Sequence, residues 1–256
     1  MQYDPRPQFL PFHLRDKRWA IIVAHRRAGK TVACVVELIT RALACKRPNA
    51  RYGYIAPFYS QAKQAAWMYL KAYAQPLMLE EARESELSVR LYNGAVIRLY
   101  GADNPNSLRG TYFDGVILDE FADMKPSVWG EVIRPTLSDR NGWAVFIGTP
   151  KGKNAFWDIW DRARKDPNWF RLELKASTTG IIAEAELADA AKTLSEDEYQ
   201  QEYECSFDAA IKGAIYGKLM REALEAGRIK HVPVDTNLSV HTAWDLGFDD
   251  STAIWF

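Results

Sequence analysis

Short apolar runs alternate along this chain with longer stretches of helical character. Residues 18–24 (Arg-Trp-Ala-Ile-Ile-Val-Ala) are apolar at every position after the first, as in a strand buried on both faces. Residues 32–44, behind Gly29-Lys30-Thr31, are long and unbroken enough for a helix. A second strand at 52–56 ends at Pro57. Ser60 or a neighbour is placed to cap a helix over 61–73, which Pro76 helps to stop. Runs at 87–91 and 95–100 flank Tyr92-Asn93-Gly94, and because Asn-Gly accepts positive φ at both turn positions they predict a hairpin. Two more buried-type strands follow at 115–118 and 143–147. Strands separated by helices imply parallel pairing, so the fold class expected is α/β, a mostly parallel sheet flanked by helices.

The pattern changes after about residue 179. Residues 181–203 are rich in Ala, Glu, Leu and Lys, and Ser195-Glu196-Asp197-Glu198 has the form of a helix start. Strand-like runs at 241–246 and 251–256 surround the turn Gly247-Phe248-Asp249-Asp250. A lone hairpin is marginally stable, so this end is expected to open a further, incomplete domain. The expected division is 1–178, 179–234 and 235–256.

Composition narrows the class. With 48% hydrophobic and 26% charged residues, the 256-residue chain can bury a core without disulfides or metals. Cys34, Cys45 and Cys205 show no CxxC spacing and read as free thiols in a reducing compartment. No apolar run approaches the roughly 20 residues that cross a bilayer, and residues 1–18 are too polar for a secretory signal. A cytoplasmic protein with no membrane partner is expected. Lys plus Arg equal Asp plus Glu at 33 each, so nucleic-acid contact would rest on local patches such as Arg26-Arg27, Lys46-Arg47 or Lys151 and Lys153.

Two motifs carry chemistry. Ala24-His25-Arg26-Arg27-Ala28-Gly29-Lys30-Thr31 fits GxxxxGK[ST] at every specified position but the first, where Ala replaces Gly. A buried strand leads in and a helix leads out, so backbone N–H groups over Arg27, Ala28 and Gly29 would form a nest for phosphate oxygens. Lys30 would reach the β- and γ-phosphates of ATP, and the Thr31 hydroxyl would bind Mg2+. Arg26 and Arg27 fall inside the loop; either is a candidate arginine finger, and Arg27 reads equally as a solvated or DNA-facing side chain.

The second motif is Gly115-Val116-Ile117-Leu118-Asp119-Glu120, an apolar strand ending in two carboxylates. Asp119 would hold Mg2+ directly or through water, and Glu120 would polarise the attacking water as general base. Ligands of open α/β sheets lie off the carboxyl ends of the strands, where the two motifs converge.

These segments, with Phe146-Ile147-Gly148-Thr149-Pro150-Lys151-Gly152, resemble the large terminase subunit of tailed bacteriophages, the motor-nuclease that packages double-stranded DNA into a procapsid. The resemblance implies a P-loop NTPase domain, then a helical linker region, then the first hairpin of an RNase H-like domain. It implies that Thr149 belongs to a coupling motif sensing the γ-phosphate. Gln8, within Pro7-Gln8-Phe9-Leu10-Pro11-Phe12, would contact adenine. Arg109, in Ser107-Leu108-Arg109-Gly110, would face DNA or a neighbouring subunit's nucleotide.

The resemblance also makes Asp245, in Trp244-Asp245-Leu246, the first metal ligand of a nuclease site. Asp249 and Asp250 read as turn residues. The other carboxylates would come after Phe256, so no complete nuclease site is expected from these residues. The implied partners are double-stranded DNA, a portal protein, a small terminase subunit and further copies of the chain in a ring, within the host bacterial cytoplasm. Two alternatives stand beside this: a helicase-like DNA-dependent ATPase, and an inactive prophage remnant that binds nucleotide or DNA.

Overall fold

The computed structural model describes residues 3–208 and, beyond them, 217–231, 233, 237, 239, 241–245 and 253–255. It divides into two compact units, Met1–Lys212 and Gly213–Phe256.

The first unit is built on seven strands: β1 (Trp19–Ala24), β2 (Arg51–Ala56), β3 (Ser88–Arg90), β4 (Val96–Gly101), β5 (Gly115–Leu118), β6 (Trp143–Gly148) and β7 (Trp169–Leu174). Their order is β3-β4-β2-β5-β6-β1-β7. All pairings are parallel except β3 with β4. Strand β1 reads as continuous apolar sequence because both its faces are covered. Ala20, Ile22 and Ala24 join the cluster that holds Ala33, Cys34 and Leu38 of helix α1 (Lys30–Ala44). Ile21 and Val23 join the opposite cluster, with Phe146, Phe156 and Trp160.

Three local outcomes refine the sequence reading. Helix α2 begins at Tyr59–Ala62, passes through a π-helical turn at Lys63–Trp67 and ends with Met68–Ala74. Ser60 therefore lies inside the helix, and no side chain caps it. The hairpin between β3 and β4 forms, but only Gly94 takes positive φ at its turn. Asn93 instead donates its amide to the carbonyls of Ala42 and Leu43, satisfying orphan acceptors at the end of α1. Strand β7 was not anticipated. It is a half-buried edge strand whose Phe170 and Leu172 pack on one core while Trp169 packs on the other.

Helix α3 (Ala155–Lys165) covers the second face, with Phe156, Ile159 and Trp160 buried. Two shorter helices follow, α4 (Glu184–Thr193) and α5 (Glu196–Glu202). The capping box expected at Ser195 is present, its hydroxyl accepting from the Glu198 N–H while the Glu198 carboxylate accepts from the Ser195 N–H.

In the second unit, helix α6 (Gly217–Glu225) precedes the antiparallel pair β8 (Ala243–Asp245) and β9 (Ala253–Trp255). The pair occupies the expected hairpin; its turn, residues 246–252, lies outside the described residues.

Candidate nucleotide-binding site

Strand order sets the geometry. Strand β6 lies between β1 and β5, with Val23 opposite Gly148 and Leu118 opposite Phe146. The carboxyl ends of the three strands therefore deliver His25, Thr149 and Asp119 side by side, from segments far apart in sequence.

The loop after β1 turns through two left-handed residues, Arg27 at φ 65° and Gly29 at φ 100°. No side chain caps α1, so its first N–H groups and the positive end of its dipole face the loop. His25 is fully buried and braces the turn. Since the Arg26 carbonyl only accepts, imidazole Nδ1 carries the hydrogen and donates to it at 2.6 Å, leaving Nε2 to accept from the Thr179 hydroxyl at 3.0 Å. Burial depresses the His25 pKa and keeps the ring neutral. Outside the loop, the Arg6 guanidinium donates to the carbonyls of Arg27 and Ala28 at 3.1 and 2.6 Å.

Opposite the loop stand the two carboxylates. Asp119 is 4% exposed; its Oδ2 accepts from the Tyr54 hydroxyl at 2.5 Å and its Oδ1 from the Glu120 N–H at 3.0 Å. Burial, then the neighbouring charge of Glu120, pushes the Asp119 pKa up to about 6. A divalent cation at this position would offset both effects. Thr31 stands in the first turn of α1, and the oxygen donors of Thr31 and Asp119 are of the kind that suits Mg2+, a hard cation that takes oxygen ligands. Glu120 adopts φ 47°, a conformation that costs a non-glycine residue of order 1 kcal/mol and recurs at functional sites. Its carboxylate lies 3.7 Å from the Lys30 ammonium and 3.5 Å from the Thr149 N–H.

Lys30, Glu120 and Thr149 open onto a cavity of about 410 Å3 walled also by Arg26 and Arg27, whereas Thr31 and Asp119 do not line it. Arg26 is not free within it, since its guanidinium donates to both Glu202 oxygens at 2.6 and 3.3 Å. At the rim Lys151 pairs with Asp123 at 2.7 Å.

Other expected site residues fall elsewhere. The Gln8 amide donates to the Thr179 carbonyl at 2.8 Å, while its Oε1 is buried without a partner. Arg109 is exposed and does not line the cavity; nearby Thr111 reaches Arg51, at the opposite end of β2. Asp245 is exposed on β8, and no cluster of three or more potential metal ligands occurs among the described residues. Sequence reading missed Arg6, Tyr54 and Glu202. Tyr54 was legible only as a core strand residue, and no local pattern ties Glu202 to Arg26 across 176 positions.

Strand order thus sets the loop and the acidic pair at the carboxyl end of a mostly parallel, seven-stranded α/β sheet. Residues 21–217 match the family model described as terminase large subunit, T4likevirus-type, N-terminal, and the chain belongs to that family. It is 33% identical over 176 residues to the terminase large subunit of Thermus virus P23-45, covering 61% of this chain and 36% of that protein. To the terminase large subunit of Escherichia phage T5 it is 28% identical over 211 residues, covering 79% and 47%. The large terminase ATPase domain of Thermus phage P74-26 superimposes with a TM-score of 0.69 at 27% identity, over 80% of this chain and 94% of that one. The large terminase of another thermophilic bacteriophage, solved in complex with ADP, shares the fold, with a TM-score of 0.65 at 15% identity over 79% and 53%. The chain spans less than half the length of the curated relatives it matches. Among the described residues no helix is long and apolar enough to cross a membrane.

Proposed function

We propose that this domain binds ATP with Mg2+, hydrolyses it, and belongs to a motor that drives double-stranded DNA into a procapsid. The observation that carries this reading is the Lys30 ammonium facing the Glu120 carboxylate across one cavity, with the loop nest on one side and Asp119 behind. Its support from relatives is the family and the ATPase title of the P74-26 domain. The helicase-like and remnant alternatives are not favoured by that family.

Each residue then has a chemical role. The N–H groups over Arg27, Ala28 and Gly29 hold phosphate oxygens, and Lys30 neutralises the terminal phosphate. Thr31 and Asp119 would hold Mg2+, which would supply positive charge to offset that of the phosphates. Glu120 takes a proton from the attacking water. Arg26, released from Glu202, would stabilise transition-state charge, and the Thr149 N–H beside Glu120 would report loss of the γ-phosphate. Gln8 offers an unused buried acceptor to the adenine amine. Arg109, on an exposed loop off its own cavity, suits DNA or the nucleotide of the next copy in a ring.

The remaining assignments follow the family. Residues 179–234 act as a helical connection, and 235–256 begin an RNase H-like nuclease domain whose first metal ligand is Asp245. Portal protein, small terminase subunit and ring assembly in the host cytoplasm belong to the whole protein. Calorimetric titration with ATPγS tests the site. The wild-type chain binds it with Mg2+, and Lys30→Ala loses both binding strength and turnover. Unaltered binding and hydrolysis in Lys30→Ala contradict the assignment.

A further inference from the structure

Tyr54 is among the largest side chains wholly excluded from solvent. It lies on β2, opposite Ile117 of β5, in the cluster that also holds Ala33 and Cys34 of α1. A phenylalanine would fill this apolar face without a polar atom to satisfy. A buried hydroxyl is costly unless it is hydrogen-bonded, so its partners reveal its use. Asp119, when ionised, only accepts, so the phenol must donate its single hydrogen there, at 2.5 Å. The buried phenol thus ties β2 to the carboxylate at the end of β5.

We infer that Tyr54 is the positioning residue of the Mg2+ site, holding Asp119 in the orientation that a metal ion requires. The inference rests on the nucleotide reading above. With Oδ2 fixed by the phenol and Oδ1 by the Glu120 N–H, the Asp119 carboxylate cannot rotate, yet each oxygen keeps a lone pair for the ion or its water shell. Outer groups of this kind orient metal ligands and tune affinity. Neither sequence motif contains the phenol; β2 brings it between them through its pairing with β5.

The test uses the full chain and a fluorescent ADP analogue, titrated with Mg2+ and, separately, in EDTA. Tyr54→Phe keeps the ring and removes the hydroxyl. It is expected to raise the Mg2+ concentration for half-saturation on the order of ten-fold, the value of a hydrogen bond to a charged group, with nucleotide affinity in EDTA unchanged. In an Asp119→Asn background Tyr54→Phe should add nothing to that shift. Should Tyr54→Phe fail to fold, Tyr54→Met removes the hydroxyl with different packing and should give the same shift. A folded hydroxyl-free variant with wild-type Mg2+ dependence, or equal shifts in both backgrounds, overturns the positioning role alone. A wild-type chain whose nucleotide binding ignores Mg2+ overturns the nucleotide reading with it.

Discussion

The Arg6 guanidinium lies against the phosphate loop, donating to the Ala28 carbonyl at 2.6 Å while also engaging the carbonyl of Arg27. Arg27 holds a left-handed conformation, which costs a non-glycine residue of order 1 kcal/mol or more. Two donors on the outer carbonyls offset that cost and keep the loop N–H groups facing inward before any ligand arrives. Arg6→Ala is therefore expected to weaken nucleotide binding by up to about 30-fold, two lost hydrogen bonds of roughly 1 kcal/mol each. Both bonds come from the single nitrogen Nη1, so Arg6→Lys, whose ammonium carries three N–H donors, should recover part of the affinity. Calorimetric titration of both variants checks this; wild-type affinity in Arg6→Ala contradicts it.

Glu37 anchors the other end of the same assembly. Its carboxylate on α1 accepts from His13 and Arg15 at 2.8 and 2.6 Å and from Arg41. Burial by itself raises its pKa, but these three donors outweigh burial and lower it from 4.5 to about 2. A depressed acid pKa means that the unfolded chain binds the proton more readily. The stabilisation is full above pH 4.5 and is lost as pH falls toward 2. Glu37→Gln should cost about 3 kcal/mol at pH 7, a gap that narrows steadily below pH 4.5. Urea denaturation of both chains at pH 7, 5, 4 and 3 measures it, and a gap independent of pH contradicts the account.

Gly115 opens β5 beneath the Trp143 indole, where an added Cβ would stand 2.2 Å from the ring. Trp143 is itself held beneath Arg15 and Arg41, with cation–ring separations of 5.7 and 5.3 Å. It cannot withdraw without disturbing the Glu37 cluster. Gly115→Ala should therefore destabilise the chain by about 1–3 kcal/mol through overpacking, with the Trp143 fluorescence environment altered. A stability change below about 0.5 kcal/mol would show that the indole yields freely.

The elements legible in the sequence are those whose signal is local. Strands β1, β5 and β6 announce themselves because burial on both faces leaves apolar runs. The α5 start follows from Ser195 and Glu198 because a capping box is a four-residue device. Asn93 sits in the turn as expected, its Oδ1 accepting from the Ala95 N–H, while its amide also serves the distant end of α1, a tertiary demand that turn chemistry cannot reveal. The same holds at the site. Lys30, Thr31, Asp119 and Glu120 are motif residues, whereas Arg6, Tyr54 and Glu202 act from other elements. Parallel pairing places β2 beside β5, and only that pairing brings Tyr54 to Asp119.

The central claim is that Glu120 activates water for ATP hydrolysis by a DNA-engaged motor. Steady-state ATPase activity with Mg2+, with and without double-stranded DNA, tests it in the wild-type chain against Glu120→Gln. Hydrolysis is expected to be stimulated by DNA and lowered about 100-fold or more by Glu120→Gln, the usual worth of a general base, with nucleotide binding retained. Hydrolysis undiminished in Glu120→Gln would contradict it.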